Sequence, residues 1–221
     1  MQEIKSKKNN KMKIAIIVLS VALVVAIGAV FGVYAATQQN VTTSFSVGYT
    51  IGDNVAVAIG AKSVALGSDG YTPDHANAKW FAVSRKGDTG TETPNENNLT
   101  EIFAQSLQNE YVLSLEDITF SGLTHYLCFY FENLSNEKAM IVTFANSIVA
   151  DNMSVTPFWG VVPSTEVMDS ADTMPLTSSQ FAVAPGNIVC MFLSMSPIDQ
   201  NKSATFETTD TTGISFTIEQ P

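Results

Sequence analysis

Apolar and polar residues alternate at period two along much of the chain beyond residue 40, the pattern of strands with one face in a core and one in water. In "TTSFSVGYTI" (Thr42–Ile51), Phe45, Val47, Tyr49 and Ile51 share one face. Near the other end, Ile214, Phe216 and Ile218 alternate with Ser215, Thr217 and Glu219. "LTHYLCFYFEN" (Leu123–Asn133) is apolar on both faces around Leu127 to Phe131, which predicts a central strand covered on two sides. "NLSNEK" then reads as a turn cluster and "AMIVTFANSIV" as the return strand. Further strand candidates are "SVTPFWGVV", "QFAVAP" with a break at Gly186, "NIVCMFLSM" and "SATFETT". Short strands rich in Thr, Ser, Val, Phe and Tyr and parted by turn residues predict an all-β fold. The expected architecture is an antiparallel β-sandwich of jelly-roll or immunoglobulin-like type.

Two stretches depart from plain alternation. In "NLTEIFAQSLQNE", Asn98 can cap and Glu101 can reach back, while Leu99, Ile102, Phe103 and Leu107 form a stripe at helical spacing. This predicts one short helix plugging an end of the sandwich, after a polar surface loop over Arg85–Asn98. The second stretch, "NVAVAIGAKSVALGSDG" (Asn54–Gly70), resembles the head repeats of trimeric bacterial adhesins. A solenoid needs stacked copies to bury each repeat. Here "AIG" and "ALG" occur once each, with Gly60 and Gly67 seven positions apart. The expectation is therefore a strand, a turn near Gly60–Ser63 and a second short strand ending at Gly67. The small side chains of Ala56, Ala58 and Ala61 suggest a closely approaching layer or a thin edge.

Ahead of the β-patterned body lies a different signal. "IAIIVLSVALVVAIGAVFGVY" (Ile14–Tyr34) has 21 residues and no charge, enough as a helix for the ~30 Å hydrocarbon core of a bilayer. Lys5, Lys7, Lys8, Lys11 and Lys13 precede it, which predicts that this flank stays inside and the body is delivered outside. Val33 and Ala35 supply small residues of the kind a signal peptidase accepts. The length suits an uncleaved anchor. Signal and anchor both remain open. Residues 1–35 are thus a signal peptide or N-terminal membrane anchor, and residues 36–221 a single extracellular domain with a loop and helix insert around 68–110.

Charge changes with that division. The chain has 11 Lys and Arg against 21 Asp and Glu. The first 35 residues hold five of the bases and one of the acids, which leaves six against 20 and a net charge of −14 beyond them. Such a body disfavours nucleic acid and anionic lipid as partners. Its acids are scattered, with no Asp-x-Asp-x-Asp-Gly calcium loop.

Catalytic-looking fragments reduce to ordinary features. "GDTG" (Gly87–Gly90) sits between Arg85, Lys86 and Thr91 and has no second copy, so it reads as a solvated turn rather than half of an aspartic dyad. His75 reads as a surface residue and His125 as a strand-end filler, since zinc commonly needs three protein ligands. No Gly-x-Ser-x-Gly elbow is present. The sequence assigns no catalytic, cofactor-binding or metal-ligating residue. Cys128 and Cys190 lie 62 positions apart in apolar strands. Export permits a disulfide. The missing immunoglobulin marks, a Trp soon after Cys128 and a Tyr at position 188, tilt the reading toward buried free thiols.

The small-residue and aromatic end of the apolar run, the following "ATQQNVTTSFSVG" and the later "YFENLSNEKAMIVTF" resemble the exported TasA/camelysin-type surface proteins of Gram-positive bacteria. The chain departs from their pattern at "VYAATQQ" and in the insert Ser68–Asn98. The resemblance implies a jelly-roll-like body and, for some members, matrix fibres built by donating an N-terminal strand. Here that strand would be residues 36–51. The expected function is a non-enzymatic surface or secreted structural protein, tethered through residues 14–34 if uncleaved. The alternative is a ligand- or glycan-binding sandwich, with Tyr71, Trp80 or Trp159 as an aromatic platform.

Overall fold

The computed structural model describes residues 41–44, 46–66, 73–74, 77–95, 97–104, 109–114, 124–162, 174–175, 179–199, 202–208 and 213–221. The expectations for Ile14–Tyr34, residues 36–40, Phe45, Tyr71, His75 and Leu107 lie outside that set. Contacts set Gln39–Pro221 apart as one unit. No helix among the described residues is long and apolar enough to cross a membrane.

The described chain is all-β. Its strands are β1 (Val41–Ser44), β2 (Val47–Ile51), β3 (Ala56–Ala65), β4 (Lys79–Trp80), β5 (Ala82–Arg85), β6 (Thr100–Phe103), β7 (Asn109–Ser114) and β8 (His125–Asn133). They continue with β9 (Met140–Asn146), β10 (Ile148–Asp151), β11 (Met153–Val162), β12 (Met174–Pro175), β13 (Gln180–Val183), β14 (Ile188–Pro197), β15 (Ala204–Thr208) and β16 (Ile214–Glu219). A seven-strand sheet runs β12-β11-β14-β8-β3-β4, with β6 also paired to β3. A six-strand sheet runs β13-β9-β16-β2-β7-β5, and a three-strand sheet runs β1-β15-β10.

Alternation explains how the two large sheets meet. Leu127, Phe129 and Phe131 of β8 share one buried cluster with Val47, Tyr49 and Ile51 of β2 and Ile214, Phe216 and Ile218 of β16. Phe216 lies 4.9 Å from Phe131, 5.0 Å from Phe129, 5.3 Å from Tyr49 and 5.5 Å from Phe144, ring centre to ring centre. Such pairs add roughly 0.5–1.5 kcal/mol each beyond the area they bury. The other face of β8 is covered as well. Cys128 and Tyr130 join Ala58, Val64, Leu99, Val162, Cys190 and Phe192 in a second cluster. β8 is thus the doubly buried strand its sequence predicts, and the layering is compatible with a β-sandwich.

Three expectations are corrected. The segment assigned to a helix contains β6, where Thr100 and Ile102 are buried and Glu101 and Phe103 exposed. Pairing of β6 with Ala56–Ile59 favours period two there, and the apolar residues that also fit a helical stripe are divided between in and out. The turn placed at Gly60–Ser63 is absent, because β3 runs unbroken and pairs with β8 from Val57 to Ala65. Gly60 serves packing instead: a Cβ there would lie 2.8 Å from Leu99 Cδ2 and 3.1 Å from Trp80 Cζ3. Finally, pairing is not wholly antiparallel, since β1 runs parallel to β15 and β2 parallel to β16.

That parallel pair continues across two sheets. The chain leaves β1 for β2 and β15 for β16 side by side, while β9 passes into β10 on the other flank. Gly213 sits at the joint with φ +57°, its carbonyl accepting from Ser147 N while Ile214 N donates to Ser46 O. A Cβ on Gly213 would stand 2.2 Å from Ser46 O. At the opposite end, Asn133 is fully buried and donates to the carbonyls of Lys138 and Val183, while its Oδ1 accepts from Ser135 N and Gln220 Nε2.

Gly213→Ala is expected to destabilise the protein more than Gly186→Ala by at least ~2 kcal/mol in urea denaturation. Both glycines have positive φ, yet nothing lies within 4 Å of the Cβ position at Gly186, so the second variant carries only the left-handed cost of roughly 1–2 kcal/mol. Equal losses would remove the joint as a steric constraint.

Candidate functional site

The first place where the fold offers a site is its N-terminal strand pair. β2 lies inside the six-strand sheet between β16 and β7, with Val47, Tyr49 and Ile51 buried. β1 leads into it from an outer position in the three-strand sheet, whose opposite edge is β10. Among the described residues, β1 and β10 pair only with β15. The sequence expectation joined residues 36–51 into one donor segment; of these, Val47–Ile51 is already held within its own chain. Beside β10 runs a groove of about 310 Å³ lined by Phe144, Asn146, Ile148, Ala150, Met153 and Val155 among others. Val149 on β10 is 51% exposed. An edge of this kind offers backbone donors and acceptors for another strand.

Two buried polar groups stand out in the seven-strand sheet. On the face toward the main core, Ser63 Oγ and His125 Nε2 hydrogen-bond, both residues being buried. Burial holds the His125 imidazole down at about 4, so it is neutral near pH 7. On the other face, Lys62 is 2% exposed and its Nζ lies 5.0 Å from the Trp80 ring centre and 5.3 Å from that of Tyr130. Cation–π attraction offsets part of the cost of burying an ammonium. Tyr130 Oη is buried and makes no hydrogen bond of ordinary geometry among the described residues. Burial, with the two neighbouring thiols, pushes its hydroxyl far above the usual tyrosine range.

Cys128 and Cys190 are buried beside it as thiols, without a disulfide. Burial first, and then the Cys128 thiol, push the Cys190 thiol well up, while Tyr130 and Lys62 pull the other way. Cys190 is therefore a protonated, weak nucleophile in the closed structure.

The remaining residues singled out by sequence fall in ordinary places. Trp80 tilts against Tyr130 at 5.6 Å, and Trp159 stacks on Phe181 at 5.5 Å. Both are half-buried and engaged within the protein. Asp88 lies in an exposed turn closed by its N–H donating to Arg85 O, with Gly87 at φ +93°. Among the described residues no three acids, histidines or cysteines gather as metal ligands do. Lys62 escaped sequence reading, although a lone lysine inside the apolar run "VAVAIGAKSVAL" is itself a signal. No protein-family model matches this chain, and no curated protein matches it either. The site therefore rests on its own geometry.

His125 makes stability depend on pH with a definite sign. The unfolded imidazole takes up a proton below about 6.5 and the folded one only below about 4, so stability is full above pH 6.5 and falls as the pH drops. By pH 5 the loss is expected to reach about 2 kcal/mol relative to pH 8. Urea denaturation at several pH values checks it: His125→Gln is expected to lose that slope whatever its stability at pH 8. An unchanged slope would assign the effect elsewhere.

Proposed function

We propose that this chain is an exported, non-enzymatic surface protein that assembles with copies of itself by β-strand addition. Residues 14–34 carry it to the membrane and hold it there until or unless they are cut. The body beyond them is a jelly-roll-type sandwich presented on the outer side. The observation that carries the reading is the position of β1: it is an outer strand of a small sheet, directly downstream of the apolar run, with β10 as the second outer strand of the same sheet.

The physics of that arrangement favours an open-ended series. A contact between the β1 edge of one copy and the β10 edge of the next uses two different surfaces, so it does not close on itself by two-fold symmetry. The groove along β10 would cover side chains of the incoming strand, and backbone hydrogen bonds would fix its register. Bodies of net charge −14 repel one another. Directional pairing must overcome that repulsion, so assembly is expected to strengthen with salt over the range where the screening length shrinks toward ~10 Å or less.

The test separates the edge from the core. Removing residues 36–44 takes away β1 and leaves β2 in place; Val149→Lys puts a charge on the exposed face of β10. Both are expected to abolish higher-order species in sizing chromatography and electron microscopy, with Val149→Lys changing stability by less than ~0.5 kcal/mol. Fibres or oligomers that persist in both variants would sink the strand-addition reading.

A further inference from the structure

The outer face of the seven-strand sheet holds a second piece of chemistry. Register places residues there in rows: Lys62, Cys128, Phe192 and Phe158 lie side by side across β3, β8, β14 and β11, and Gly60, Tyr130, Cys190 and Gly160 form the next row. Cys128 and Cys190 are thus diagonal neighbours on paired antiparallel strands, in one buried cluster. The flanking residues of the Cys190 row are Tyr130 and Gly160, and glycine leaves room beside the sulfur.

We propose that Cys128 and Cys190 are a dithiol–disulfide couple, and that an oxidising environment joins β8 to β14 through them. The inference takes from the export reading only the oxidising surroundings. The oxidant is a small-molecule or protein disulfide. The Cys190 thiolate attacks one sulfur of that disulfide, forming a mixed disulfide and expelling one thiolate. Cys128 then attacks the Cys190 sulfur, expelling the second. Two protons pass from the protein thiols to the two departing thiolates, so one disulfide is consumed and one formed.

Two features set when this happens. Trp80, Leu99 and Pro94 lie over Gly60 beside the pair, and both cysteines are at most 1% exposed. Exchange therefore belongs to folding, or to an opening of that cover. Lys62 lies opposite Cys128 in register and its charge favours the Cys190 thiolate, which supplies the attacking group once water and oxidant reach the face. Diagonal neighbours stand roughly 7–8 Å apart, past the ~4.4–6.8 Å Cα separation of a relaxed disulfide, so closing the bond must draw β8 and β14 together. The bond is accordingly strained and readily reduced, a couple rather than a permanent staple.

The full chain, purified in detergent with reductant, is unfolded in urea and refolded with a mixture of reduced and oxidised glutathione. The expected product is a monomer lighter by about 2 Da, with neither cysteine alkylated by iodoacetamide in denaturant until reductant is added. Strain offsets the entropic gain, so its thermal midpoint is expected to stay within about 3 °C of the reduced protein's. Cys128→Ser is expected to keep one alkylatable thiol. A refolded chain with native circular dichroism and two alkylatable thiols, or bonded only between chains, overturns the proposal. Where refolding gives aggregate, the thiol count after exchange in sub-denaturing urea decides between the same two outcomes. A cytosolic location of the native protein would defeat the export reading and leave this result as measured.

Discussion

The fold depends on one ring. Phe216, in the last strand, touches Phe129 and Phe131 of the opposite sheet as well as Tyr49 and Phe144 on its own. Because β16 is also the strand between β2 and β9, removing it would split its sheet into β2-β7-β5 and β9-β13. The core is therefore closed by the end of the chain. Parallel pairing of β2 with β16 joins positions about as far apart in sequence as the body allows, so loop-closure entropy is met before the aromatic contacts offset it.

Alternation made most of this legible. Val47–Ile51, His125–Asn133, Met140–Asn146 and Ile214–Glu219 each carry a pattern that survives in the structure, because each has a paired neighbour on both sides. The helix over Asn98–Glu110 did not survive in β6. Leu99, Ile102 and Phe103 satisfy helical spacing and extended spacing alike, and four residues are too few for local propensity to outweigh a waiting strand edge on β3. Gly60 misled for the opposite reason. Sequence marks glycine as a place where the chain turns, whereas here it is where Leu99 and Trp80 approach a straight strand.

The candidate chemistry was less legible because it depends on register. Cys128 and Cys190 look unrelated at 62 residues apart, and nothing in their local sequence says that Tyr130 and Phe192 face them in alternate rows. Lys62 could have been flagged as a charge inside an apolar run, but its aromatic partners come from β4 and β8. The Ser63–His125 pair likewise spans two strands that only the fold aligns.

The two edges of the three-strand sheet are subject to the same closure constraint. A strand donated between copies competes with pairing inside one copy, and the internal partner wins wherever it is present at high effective concentration. β2 has such a partner on both sides and buries three side chains, so it is committed to its own core. Among the described residues, β1 has β15 on one side and an open edge on the other. An assembly built on β1 therefore leaves the aromatic core undisturbed, whereas one built on β2 would have to dismantle the Tyr49–Phe216 stack first. In the proposed assembly the smaller disruption favours a joint at the small sheet, which Gly213 links to the core.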